Sequence, residues 1–156
     1  MLGTESHGSA FPNTSFERGA KMGNSINDIM LEDFQNVVSE LLIRNRSVLD
    51  IFSKIQTSTG RVNRAVVKAV THCGCIEIHA KKQEFPSEAS IKNISGLIST
   101  HLKGKLCPEC RRTIEKEIGG ALFYLAAMCN TLGISLYDVV LSEKETLGTL
   151  GSYSLR

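Results

Sequence analysis

The chain has no tryptophan, and phenylalanine and tyrosine bring its aromatic content to only 6%. That leaves little material for stacking nucleic-acid bases. Neither sign of charge is in excess: the net charge is +2, so no strong overall field points to nucleic acid or a membrane surface. No apolar run reaches the roughly 20 residues of a membrane-spanning helix. The first 25 residues lack the apolar centre of a signal peptide and are rich in Gly, Ser, Asn and Thr without a hydrophobic period. Residues 1–25 therefore read as a disordered tail, with the folded protein beginning near Met22. Nor is there an alternating strand pattern longer than CIEIHA, residues 75–80, which itself reads as a short extended link. Its lack of strand periodicity and its helical periodicities place the chain in the all-α class.

What is present is ordinary for a globular domain. The 156 residues are 42% hydrophobic and 22% charged, enough for one domain with a core. Five cysteines without a secretion signal point to the cytoplasm, where paired cysteines bind metal more often than they form disulfides.

Helical periodicity starts near Ile26 and runs to about Thr71. Phe34, Val38, Leu41, Asn45, Val48, Phe52, Ile55, Thr59, Val62, Val66 and Ala69 follow alternating steps of four and three. This is the heptad seam of a coiled coil or long bundle helix, so residues 26–71 read as a long helical, oligomerising segment. Val37, Leu42 and Ile51 widen the stripe, Gly60 is a weak point, and Asn45 on the seam is a candidate register-setting residue. Residues 72–156 read as a second, smaller helical unit. In it Ile91, Ile94, Leu97, Ile98 and Leu102 line a short helix capped by Ser87 or Ser90 and ended by Gly104. Ile114, Ile118, Leu122, Leu125, Met128 and Cys129 mark a helix that is apolar nearly all round and hence central. Gly133 stops it, and Ser135 with Asp138 forms a capping box for a last helix, followed by the tail GTLGSYSLR.

The chemistry concentrates in four cysteines. Cys107-Pro-Glu-Cys110 presents two thiols at the start of a helix, whose N–H groups favour thiolate. Cys73-Gly-Cys75 is tighter, and Gly74 allows the sharp turn that aligns both sulfurs. Together they form a candidate tetrahedral metal site with zinc as the first ion and an iron–sulfur cluster as the second. A reversible dithiol pair and four inert thiols are the remaining readings. His72 and His79 stand beside the site as surface residues, and Cys129 reads as core packing.

The stretch IEKEIGGALFYLAAMCNTLGISLYDVV, residues 114–140, resembles the second motif region of the MazG-like family. In those all-α nucleoside-triphosphate pyrophosphohydrolases an E-x-x-D motif precedes an aromatic-rich helix, a Leu-Gly-Ile turn and a capped helix. The resemblance covers about a sixth of the chain. It implies a dimeric or tetrameric helical bundle, with magnesium held by carboxylates from two helices. Here Glu117-Ile-Gly-Gly120 replaces the Asp by Gly, and the first motif falls on Thr57-Ser58-Thr59-Gly60-Arg61, without a carboxylate. No Asp or Glu lies between Asp50 and Glu77. Magnesium needs several hard oxygen ligands, so the resemblance implies a member whose usual catalysis is lost.

The sequence thus leads to a non-catalytic MazG-like helical protein, a homodimer with a zinc-clipped fold and an unknown protein partner. A pyrophosphohydrolase with an atypical magnesium site, drawing on Glu109, Glu115 and Glu117, is the alternative. A redox or nucleic-acid-linked regulatory module is the third reading. The lack of strands around the cysteines argues against a zinc ribbon, and Arg111, Arg112 and Lys116 read first as a solvated face.

Overall fold

The computed structural model describes residues 26–44, 46–83 and 98–150. Within them the protein is mostly helical: α1 (Ile26–Leu41), α2 (Val48–Lys68), α3 (Pro108–Leu132) and α4 (Leu136–Leu150). A π-helical turn, Ala69–Cys73, extends α2, and two short strands, β1 (Ile76–Ile78) and β2 (Leu102–Gly104), lie between α2 and α3. The disordered tail expected over 1–25, the register role of Asn45, the Ser87 or Ser90 cap and residues 151–156 lie outside the described residues.

The single helix expected over 26–71 is instead two. It does not break at Gly60, which lies inside α2, but between Leu41 and Val48. Ser47 adopts an extended conformation and its Oγ accepts from Leu49 N at 3.3 Å. Asp50 follows in the first turn, where a carboxylate complements the helix dipole.

The buried stripe of α2 also differs from the expected seam. Ile51, Ser58 and Ala65 are buried, whereas Phe52 is 51% exposed and Thr59 and Val66 face solvent. The stripe keeps its heptad spacing but sits one residue earlier. Small side chains at 58 and 65 let α2 approach α3 closely, and the Ser58 hydroxyl satisfies itself on Ile55 O at 2.8 Å.

Helices α2 and α3 run antiparallel, which follows from two core clusters. Ile51 of α2 packs with Ala126 and Ala127 of α3, together with Val38 of α1 and Leu42 just after it. Ala65 and Ala69, at the other end, pack with Ile114 and Ile76. Helix α3 is not buried all round as expected: Leu122 is 49% and Leu125 45% exposed. Only its Ile114, Ala126 and Ala127 face is fully covered. Gly133, at φ 67°, ends α3 in the left-handed conformation, and α4 turns away at 107°. The expected cap is present, with Asp138 N donating to Ser135 Oγ at 3.1 Å.

The helix expected to reach Gly104 is replaced, from Ile98 onward, by extended chain and β2. β1 and β2 pair antiparallel with Ile76 opposite Gly104 and Ile78 opposite Leu102. Strands therefore do flank both cysteine pairs. No single helix is long and apolar enough to cross a membrane.

Candidate metal centre

Three local devices bring the cysteines together. The π turn at the end of α2 carries Cys73 past the helical register, and Gly74 at φ 70° reverses the chain before Cys75. β1 and β2 then fold the chain back, delivering Cys107 to the start of α3. Cys107 is the N-cap of that helix, with Pro108 beginning it and Cys110 one turn in.

Gly104 fixes how closely the strands approach. A Cβ there would lie 2.6 Å from the Cys75 carbonyl oxygen, and its φ is 83°. Both the contact and the dihedral require glycine.

All four sulfurs lie within 4.8 Å of one another, and Cys73 Sγ is 3.8 Å from Cys107 Sγ. Zinc–sulfur bonds of about 2.3 Å in a regular tetrahedron set sulfur–sulfur edges of about 3.8 Å. A disulfide would instead need about 2.05 Å. The donor set is soft, four-fold and compact, which fits one tetrahedral ion. Beneath it Ile76, Ile114, Ala65 and Ala69 make a small apolar floor with Leu106.

The thiols are electrostatically unequal. The Cys110 backbone N–H, donating to Cys107 Sγ at 3.4 Å, lowers the Cys107 thiol to about 7, with help from the Cys110 side chain. Cys110 is pushed up to about 12, first because its thiol shares a hydrogen bond with Cys107, then by desolvation. For Cys73 the contact with Cys110 favours thiolate, but Cys107, Cys75 and desolvation outweigh it, so its net direction is upward. The Cys107 thiol is thus ready to ionise, and those of Cys110 and Cys73 need a cation before they can follow. Burial also pushes the Cys129 thiol up, away from the cluster.

The other expected residues do not join the site. His72 is exposed, and His79 Nε2 pairs with Glu77 Oε2 at 2.8 Å. The carboxylates considered for magnesium each meet an arginine: Glu109 with Arg112, Glu115 with Arg111 at 3.9 Å, and Glu117 with Arg61 at 2.9 Å. Among the described residues only the four cysteines form a cluster of three or more candidate metal-binding side chains. Arg61 and Glu117 do lie side by side on α2 and α3, and a Cβ added at Gly120 would lie 3.7 Å from the same guanidinium. The two segments aligned with the carboxylate motifs are therefore neighbours, with a guanidinium between them.

Compared with family models, with curated proteins and with solved structures, the chain matches none.

Two elements that hold the site escaped sequence reading. β2 is three residues long and shows no alternation, and Ile76 is buried only because α2 and α3 converge beneath it. A glycine two residues before a Leu-Cys-Pro sequence does not announce a close backbone approach; the only hint was the apolar-polar-apolar Ile76-Glu77-Ile78.

Proposed function

We propose that the protein is a non-catalytic helical binding and assembly protein of MazG-like ancestry, held together by a structural zinc ion on Cys73, Cys75, Cys107 and Cys110. The observation that carries this reading is the mutual approach of the four sulfurs to within 4.8 Å. A structural zinc contributes on the order of 10–16 kcal/mol of apparent binding free energy. That is large beside the small apolar floor of Ile76, Ile114, Ala65 and Ala69. Four free thiols poised for a metal fit a reducing, cytoplasmic setting. A cluster of several irons would hold the thiolates apart with iron and sulfide between them, so the compact set favours one ion.

The assembly role is supported by apolar surface that the chain leaves uncovered. Ile118, Leu122, Leu125 and Leu132 of α3 are all exposed and share one heptad face, and α2 adds Phe52 and Val66. A second copy is the proposed occupant, forming a homodimer through helices that each have one covered and one open side. Magnesium enters only in the competing enzyme reading, which the ion-paired carboxylates disfavour.

Metal analysis of protein purified without chelator or oxygen tests the clip. About one zinc per chain supports it. Iron with sulfide would replace it with a redox centre, and four reactive thiols without metal would remove it. Release of pyrophosphate from a nucleotide panel with magnesium, abolished by Glu117→Gln, would overturn the non-catalytic reading.

A further inference from the structure

We propose that the cysteine end of the molecule binds the phosphate backbone of duplex DNA, independently of sequence. The antiparallel packing of α2 on α3, with β1 and β2 between them, gathers basic side chains from separate segments at this end. Arg64 and Lys68 lie on the last turns of α2, Lys81 and Lys82 follow β1, Lys105 follows β2, and Lys116 lies on α3. All six are exposed, and none makes an ion pair among the described residues. The neighbouring carboxylates are already engaged: Glu109, Glu115 and Glu117 by arginines, and Glu77 by His79 with Lys103 directly opposite it across the strands. Four thiolates around a divalent ion would carry two negative charges, which six free cations exceed.

The shape of this end selects among polyanions. β1 and β2 form a two-stranded ribbon with nothing paired to either outer edge among the described residues, and the DNA major groove, about 12 Å wide, admits such a ribbon. Lysines flanking both strands would then reach the phosphates on either side. No tryptophan occurs in the chain, and no Phe or Tyr lies on β1, β2, the last turns of α2 or the first turns of α3. With no Phe, Tyr or Trp platform there, recognition rests on phosphate and is blind to sequence.

This inference uses the metal clip only to hold the segments together, so both are measured on one sample of the full chain. Fluorescence anisotropy follows a duplex of about 20 base pairs, with four to five phosphate contacts giving a log–log salt slope of about −4. Binding should weaken about a hundredfold or more between 50 and 200 mM salt. The double substitution K81E/K82E, at residues that make none of the cysteines' hydrogen bonds, should weaken binding at least about tenfold with zinc content and circular dichroism unchanged. Absence of binding at low salt, a flat salt response or full binding by the substituted protein would overturn the proposal. Equal competition by poly-glutamate peptide would also overturn it, in favour of an acidic protein partner. Zinc-loaded protein that ignores DNA sinks this inference alone, whereas zinc-free protein that still binds DNA sinks the clip alone.

Discussion

Gln35 and Asn130 bind each other in both directions: Gln35 Nε2 donates to Asn130 Oδ1 at 2.8 Å, and Asn130 Nδ2 donates to Gln35 O at 2.9 Å. The same Gln35 side chain reaches the turn between α3 and α4. It donates to Ile134 O at 2.8 Å and accepts from Leu136 N at 2.7 Å. One amide on α1 thus holds the stop of α3 and the first residue of α4. Gln35→Ala should destabilise the fold by about 2 kcal/mol, since several partly buried groups lose their partners at once. Denaturant unfolding checks this, and an unchanged midpoint would mean that the turn is held by its glycine and cap alone.

Gly104 and Gly60 make opposite predictions for the same change. At Gly104 a methyl group meets the Cys75 carbonyl carbon and oxygen, with φ positive. Gly104→Ala should cost about 2 kcal/mol or more and loosen metal binding. Gly60 sits inside α2 with nothing within 4 Å of an added Cβ. Gly60→Ala should therefore stabilise by up to about 1 kcal/mol. Thermal melts of both variants, with metal retention under a chelator, decide the pair.

Metal affinity should fall steeply on acidification. The metal takes thiolates; Cys107 is held down to about 7, while Cys110 sits near 12 and Cys73 is raised. Near neutral pH Cys110 and Cys73 keep their protons, so binding releases at least about two. The sign is fixed: lower pH adds protons that compete with the ion, so affinity should drop by roughly two orders of magnitude or more per unit near pH 7. Competition with a chromophoric chelator across pH measures the slope, and a slope near zero would mean that the sulfurs do not bind the ion.

The proposed homodimer should depend on the open face of α3. Leu122→Glu combined with Leu125→Glu places charge where both residues are about half exposed. The chain's own fold should survive, with a stability change within about 1 kcal/mol, since neither residue is buried. Sedimentation should then report a monomer in place of a dimer. A dimer that persists would move the interface elsewhere.

Much of this architecture was legible because it is local. Gly133 stops α3, Ser135 caps α4 and the two cysteine pairs meet, all from signals within a few residues. The break before α2 was also written locally, in Ser47 with Asp50 three residues on, but a heptad running through it masked the cap. The one-residue displacement of the α2 stripe could not be read from apolar character. Phe52 and Val66 are larger and more hydrophobic than Ser58 and Ala65, yet close helix contact selects for smallness. The strand pair was hidden for a further reason: three residues carry almost no period, and these strands exist because the helices on either side converge. At the site, the grouping of the four cysteines was legible and the glycine that spaces their backbone was not.

The sulfurs of Cys73 and Cys107 meet across a separation of 34 residues at one end of the α2–α3 pair. Closing that loop is the single costly entropic step in joining the helices. Once it is closed, the helices can zip turn by turn from Ala69 and Ile114 toward Ile51 and Ala127, with no further loop to close. Fraying must run the other way. With the proposed metal bound, the α1 and α4 end should open first, and the backbone amides around Ala65 should be the last to exchange with solvent.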